Sequence, residues 1–188
     1  MRRGAGGGES GKTAPPWTRD RTGVVSLTMP IVLRPMASQE MVSWMADHQR
    51  DYAASRVASG EPTLIAEANA VTSTARLFPG GAPAEGHDVF VLTETEDGSG
   101  DSGVAVGSLW IGPHPERADA MWARSIVVDL EYRGRGIGRA AMQLAEGEAR
   151  RRGATEIGLN VFGFNEVAIG LYHSLGYVDA SIQMRKVL

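Results

Sequence analysis

A short β-branched run from Ser125 to Val128 is followed closely by Arg133-Gly134-Arg135-Gly136-Ile137-Gly138, and a segment rich in helix formers comes next. No other stretch constrains the fold as much, because it predicts a strand, a glycine turn and a helix in immediate succession. A glycine turn leading into a helix leaves backbone N–H groups unpaired at the positive end of the helix dipole. Without side chains in the way, a phosphate can approach those groups closely, and Arg133, Arg135 and Arg139 add positive charge nearby. The stretch therefore reads as a cradle for a phosphorylated ligand.

The chain of 188 residues suits one domain with a substantial core, and its 43% hydrophobic and 22% charged residues are those of an ordinary globular protein. A net charge of −3 gives no global attraction for nucleic acid, even though 17 arginines accompany only 2 lysines. With no cysteine, disulfides, thiolate nucleophiles and cysteine metal sites are excluded. Neither a run of about 18 apolar residues nor a signal-peptide pattern stands out. The expectation is a soluble cytoplasmic protein with neither membrane nor nucleic-acid partner.

Residues 1–28 are rich in Gly, Ser, Thr, Arg and Pro with almost no apolar periodicity, which is the composition of a disordered tail. Met29 immediately precedes the folded pattern, so the domain is expected over 29–188. A first strand is predicted within the second half of 24–33. A helix follows from Ser38 to about Ser59, with Ser38 as N-cap, and a second from Pro62 toward Leu77. Asp88–Thr95 and Val104–Ile111 read as a hairpin, and about Ala120–Val128 as the next strand. A helix from Gly138 to Arg152, a strand over Glu156–Val161, a helix over Asn165–Leu175 and a closing extended region over Val178–Leu188 complete a mixed α/β domain.

A second glycine-rich stretch, Gly6 to Thr13, satisfies the P-loop pattern letter for letter. That motif works only between a buried strand and a helix, whereas here five residues precede it and Ala14-Pro15-Pro16 follows. Nucleotide binding at this position is not expected. The cradle also lacks the dinucleotide spacing, since its glycines fall at 134, 136 and 138 with no acidic residue closing a strand about 20 residues later.

Two segments together resemble the GCN5-related N-acetyltransferase (GNAT) superfamily. Arg133, Gly136 and Gly138 match its Arg/Gln-x-x-Gly-x-Gly/Ala signature. Asn165, Ala168, Leu171, Tyr172, Gly176 and Tyr177 match its Asn-x-x-Ala-x-x-Leu-Tyr-x-x-x-Gly-Phe/Tyr pattern. The resemblance covers nearly everything but the tail. It implies a twisted, mostly antiparallel sheet, splayed between strands 4 and 5 and flanked by helices, with acetyl-CoA as cosubstrate in the splay. The histidines form no HxxxH or HExxH pair, so no metal is expected.

By the same resemblance, Ile126, Val127 and Val128 would lend backbone groups to the pantetheine arm. Arg133, Gly134, Arg135, Gly136, Ile137, Gly138 and Arg139 would hold the pyrophosphate, and Asn165 would hydrogen-bond the arm. Tyr172 would protonate the departing thiolate, which suits a hydroxyl of pKa about 10. Packing alone also accounts for Tyr172, because Ala168, Leu171, Tyr172 and Leu175 occupy adjoining helix positions. The absence of cysteine leaves direct attack of an amine in a ternary complex. The partner is then an amine-bearing small molecule or peptide, and homodimers are frequent in the resembled family.

The acceptor side departs from the family pattern. Many relatives carry an acidic residue on the fourth strand, where this chain has Ser125 and Val127. Relatives that acetylate ribosomal-protein N-termini place a glutamate where Asn160 stands. No base is evident, which leaves ordered water or a carboxylate such as Glu67 or Glu94, and also leaves open a catalytically idle acyl-CoA-binding module or sensor. His48 is placed within a helix that can face the acceptor. Trp44, Met45 and Tyr52 read as core or as cleft lining.

Overall fold

In a computed structural model, residues 18–19, 25–26, 29–96, 98 and 103–186 are described. The P-loop-like stretch 6–13 lies outside them. Within the tail, Thr18–Arg19 pairs antiparallel with Val25–Ser26.

The main sheet contains β1 (Ile31–Pro35), β2 (Asp88–Glu94), β3 (Val104–Pro113), β4 (Ala120–Val128) and β5 (Glu156–Leu159), hydrogen-bonded in that order. β1 to β4 are successively antiparallel, and β4 and β5 run parallel. Parallel neighbours need a crossover, and α3 (Ile137–Arg151) supplies it.

α1 (Ser38–Ala58) and α2 (Thr63–Leu77) lie between β1 and β2 in sequence, and α4 (Glu166–Ser174) follows β5. Helix α1 begins one residue earlier than a Ser38 cap predicts, with Ala37 at the N-cap. Glu40 explains the shift: its carboxylate accepts from the Ala37 N–H at 2.8 Å and holds Arg34 at 2.7 Å. The final segment makes no strand among the described residues, and Arg185 there donates to the Gly60 carbonyl at 2.7 Å. No helix among the described residues is long and apolar enough to cross a membrane.

Each face of the sheet has its own core. Leu92, Val106 and Leu109 pack with Ile137, Ala141 and Ala145 of α3, joined by Ile126 and Val128. On the opposite face Val89 and Trp110 pack with Met41 of α1 and with Phe78. Burying a large apolar side chain contributes about 1.5–3 kcal/mol, so these layers fix which face each β4 side chain takes. Ile126 and Val128 point toward α3. Ser125 and Val127 lie opposite Trp110 and Ser108 in register, on the α1 face.

Candidate active site

Pairing between β4 and β5 runs from Ala120 opposite Glu156 to Ala123 opposite Leu159 and stops there. β4 continues for five more residues, so Arg124 to Val128 present a backbone edge with no strand partner on that side among the described residues. This is the splay. An unpaired strand edge attracts hydrogen-bonding ligands because the alternate N–H and C=O groups that face it still need partners. One carbonyl is already engaged, since Arg133 Nε donates to the Val128 oxygen at 2.9 Å.

The glycine turn lies beyond that edge. Gly134 has φ 76° and Gly136 has φ 82° with ψ 0°, the left-handed region that residues with a Cβ avoid. Gly136 is the N-cap of α3, and its carbonyl accepts from Arg139 and Ala140 at 3.0 and 3.1 Å. The N–H groups of Gly134, Arg135, Gly136, Ile137 and Gly138 have no acceptor among the described residues. A Cβ built on Gly134 or Gly136 would project into open space, so the missing side chains leave room beside these donors. The turn thus suits a diphosphate: several N–H donors without a protein acceptor among the described residues, a helix N-terminus, and open space where side chains would stand at Gly134 and Gly136.

The three arginines serve the turn differently. Arg133 ties it back to β4 through the bond just described. Arg135 donates to Glu94 at 2.7 Å and stacks over Tyr132, 5.5 Å from its ring centre. Glu94 is therefore spent on the cradle, while Glu67 is exposed on α2. Arg139 donates to Ser174 at 2.7 Å and so fastens α4 to the start of α3. Gly138 has a packing role, since a Cβ there would come within 3.2 Å of Leu171 on α4.

These two contacts bring α4 and Tyr172 beside the cradle. Tyr172 is half-buried, and burial raises its pKa above the ordinary 10.0. Its ring lies 5.9 Å from that of Tyr177, which is pushed up by burial and by the Glu146 charge. Asn165 caps α4 by accepting the Ala168 N–H at 3.2 Å, and its side-chain NH2 has no protein acceptor among the described residues.

An aromatic row on the α1 face was only partly visible in the sequence. Trp44, His48 and Tyr52 recur every four residues and stack face to face, with ring centres 5.1 and 6.1 Å apart. Trp44 donates to Ser108 at 3.0 Å, and His48 meets Trp110 edge-on at 5.3 Å. Tyr52 reaches Phe162 beyond β5 at 6.5 Å, so the row spans from β3 across to the far side of the splay. Burial pulls the His48 pKa below its ordinary 6.5, against the smaller opposing influence of Asp51. Neither ring nitrogen has a hydrogen-bond partner among the described residues. The i, i+4 spacing marked these residues as one helix face, but only the fold shows that face meeting the splay.

The sequence profile of the Acetyltransferase (GNAT) family matches residues 81–177, more than half of the chain. The chain belongs to the GNAT family. The uncharacterized N-acetyltransferase YdgE of Bacillus subtilis is 27% identical over 164 residues, covering 85% of this chain and 99% of the relative. YycN from the same organism, also an uncharacterized N-acetyltransferase, is 28% identical over 168 residues, covering 85% and 100%. The crystal structure of YycN superposes with a TM-score of 0.74, covering 84% of this chain and 98% of that one. A local match of 59 residues, 39% identical, joins 31% of the chain to 40% of the ribosomal protein bS18-alanine N-acetyltransferase of Escherichia coli. The family and the named relatives support an N-acetyltransferase, and the splayed sheet is the fold the sequence resemblance implied.

Proposed function

We propose that this protein transfers the acetyl group of acetyl-CoA to a primary amine by direct attack in a ternary complex. The observation that carries the reading is the row of N–H groups from Gly134 to Gly138, which have no acceptor among the described residues, following the edge of β4 that β5 leaves unpaired. Acetyl-CoA supplies an activated acetyl thioester when bound. The glycine turn receives its diphosphate, and the backbone of Ile126, Val127 and Val128 with the Asn165 amide orients its arm. A β4 N–H near Val128 stabilises negative charge as it develops on the carbonyl oxygen.

His48 accepts the proton lost by the attacking amine. Three features support this role: burial favours its neutral form, it has no competing hydrogen bond among the described residues, and it packs on Trp110. Trp110 in turn lies directly opposite Ser125, one of the positions where relatives carry a carboxylate. Tyr172, kept protonated by its raised pKa, donates its proton to the departing sulfur.

The test is thiol release from acetyl-CoA in the presence of a panel of primary amines, with CoA affinity measured alongside. Release with at least one amine, abolished without acceptor, is expected. Tight CoA binding with no release on any amine would instead identify a non-catalytic acyl-CoA-binding module.

A further inference from the structure

Arg124 occupies an unusual place in the sheet. Trp110 pairs with Ser125 and Ile111 with Ala123, which leaves Arg124 as the extra residue of a β-bulge. It is also the first β4 residue beyond the last pair with β5, at the apex of the splay. Bulges re-aim side chains, and this one sends a guanidinium to the end of β3. There it donates through one terminal nitrogen to the Pro113 carbonyl at 3.2 Å. Its Nε is buried with no hydrogen-bond partner among the described residues.

The charge that reaches Arg124 has the wrong sign for pairing. Arg76, in the last turn of α2, repels it, and burial and this repulsion together lower its pKa. No carboxylate pairs with either arginine among the described residues. His87 completes the corner. Its Nδ1 accepts the indole N–H of Trp110 at 3.2 Å, which leaves Nε2 to carry the proton of the neutral ring. Gly112 makes this possible, because a Cβ there would fall 2.1 Å from His87 Nδ1. Asp88, the adjacent carboxylate, is held by Arg152. A cation drawn out of water is normally paired, so the unpartnered Nε of half-buried Arg124, with a like charge on Arg76 and the imidazole N–H of His87 as its neighbours, points to an external anion.

We propose that Arg124, Arg76 and His87 form a subsite for an oxyanion carried by the acceptor. The substrate is then an amine that bears a carboxylate or phosphoryl group several bonds from its nitrogen. Through Trp110 the corner is continuous with the aromatic row that holds His48. At about 3.3 Å per residue, Arg124 lies about 7–13 Å along the strand from the Ile126–Val128 edge. The inference rests on the acetyl-transfer reading.

The experiment compares acetylation of ω-amino carboxylates, from β-alanine to 6-aminohexanoate, with that of their carboxamides. A parallel series of ω-aminoalkyl phosphonates distinguishes the two anion types. The kcat/KM of at least one anionic amine should exceed that of its neutral partner by about tenfold or more, chiefly through KM. Arg124→Gln and Arg76→Gln should each bring that ratio toward one, and Arg124→Lys should retain part of it. Arg76 is exposed, so its variant reports even if the Arg124 change impairs folding.

Equal rates for anionic and neutral amines in the unaltered protein, or an unchanged ratio in both glutamine variants, would overturn the subsite. Should no amine be acetylated, the acetyl-transfer reading fails by itself. The corner is then read from the His87 ring resonances during titration with 6-aminohexanoate and 3-aminopropylphosphonate. A shift that is lost in Arg76→Gln supports the subsite, and no shift refutes it.

Discussion

Replacing Gly136 separates the cost of backbone strain from the cost of lost ligand space. Gly136 has φ 82° and caps α3, and a Cβ at this position meets nothing within 4 Å. Alanine there suffers no clash in the free protein. It pays only for the left-handed conformation, about 1–2 kcal/mol. In a domain of this size that lowers Tm by about 2–8 °C. The ligand-bound state loses more, because the new methyl group projects beside the free N–H groups of the turn. Displacing a diphosphate oxygen from one charge-assisted hydrogen bond, worth about 1.5–3 kcal/mol, raises the Kd for CoA about 10- to 150-fold. Gly136→Asn sharpens the comparison, since asparagine tolerates the left-handed region and should recover part of the stability without recovering affinity. Calorimetric unfolding and titration with CoA give the two quantities separately. CoA affinity unchanged in both variants would refute the assignment of the turn as the diphosphate site.

Tyr172→Phe should lower kcat by about 10²-fold while changing acetyl-CoA affinity little, and equal turnover would remove the proton-donor role. Besides the limb at higher pH from ionisation of the amine itself, kcat/KM should show a second acidic limb below pH 6.5, because burial favours neutral His48, and His48→Gln should abolish that second limb. A limb below pH 6.5 that survives in the variant would mean that another group takes the proton. Glu40 is held down to about 2 by its hydrogen bonds to Arg34 and to the Ala37 N–H. Its stabilisation is therefore present above the unfolded pKa near 4.5 and is lost as pH falls toward 2. Because the pair is largely solvent-screened, Glu40→Gln should cost about 1 kcal/mol at pH 7 and almost nothing near pH 2, measured by urea unfolding.

Local chemistry along the chain was enough to place the elements. The strand expected over about Ala120–Val128 occupies those residues, and the helix after the cradle begins at Ile137, one residue before the position the glycines suggested. Gly134 and Gly136 were legible as turn residues because a left-handed backbone selects glycine through its own sterics, whatever surrounds it. The cradle's arginines were legible only as charge. Their engagement with Glu94, Ser174 and the Val128 carbonyl depends on chain segments as far as 41 residues away.

Periodicity put Trp44, His48 and Tyr52 on one helix face and could go no further, because it carries no information about what that face meets. The bulge that re-aims Arg124 depends on how β3 and β4 settle into register, and register is set by the packing of both faces at once. The sequence alone therefore determined the glycine turn proposed to hold the donor, because a contiguous turn carries its own geometry. Tertiary structure decided what is proposed for the acceptor, because His87, Arg124 and the aromatic row come from separate elements and only the fold places them side by side.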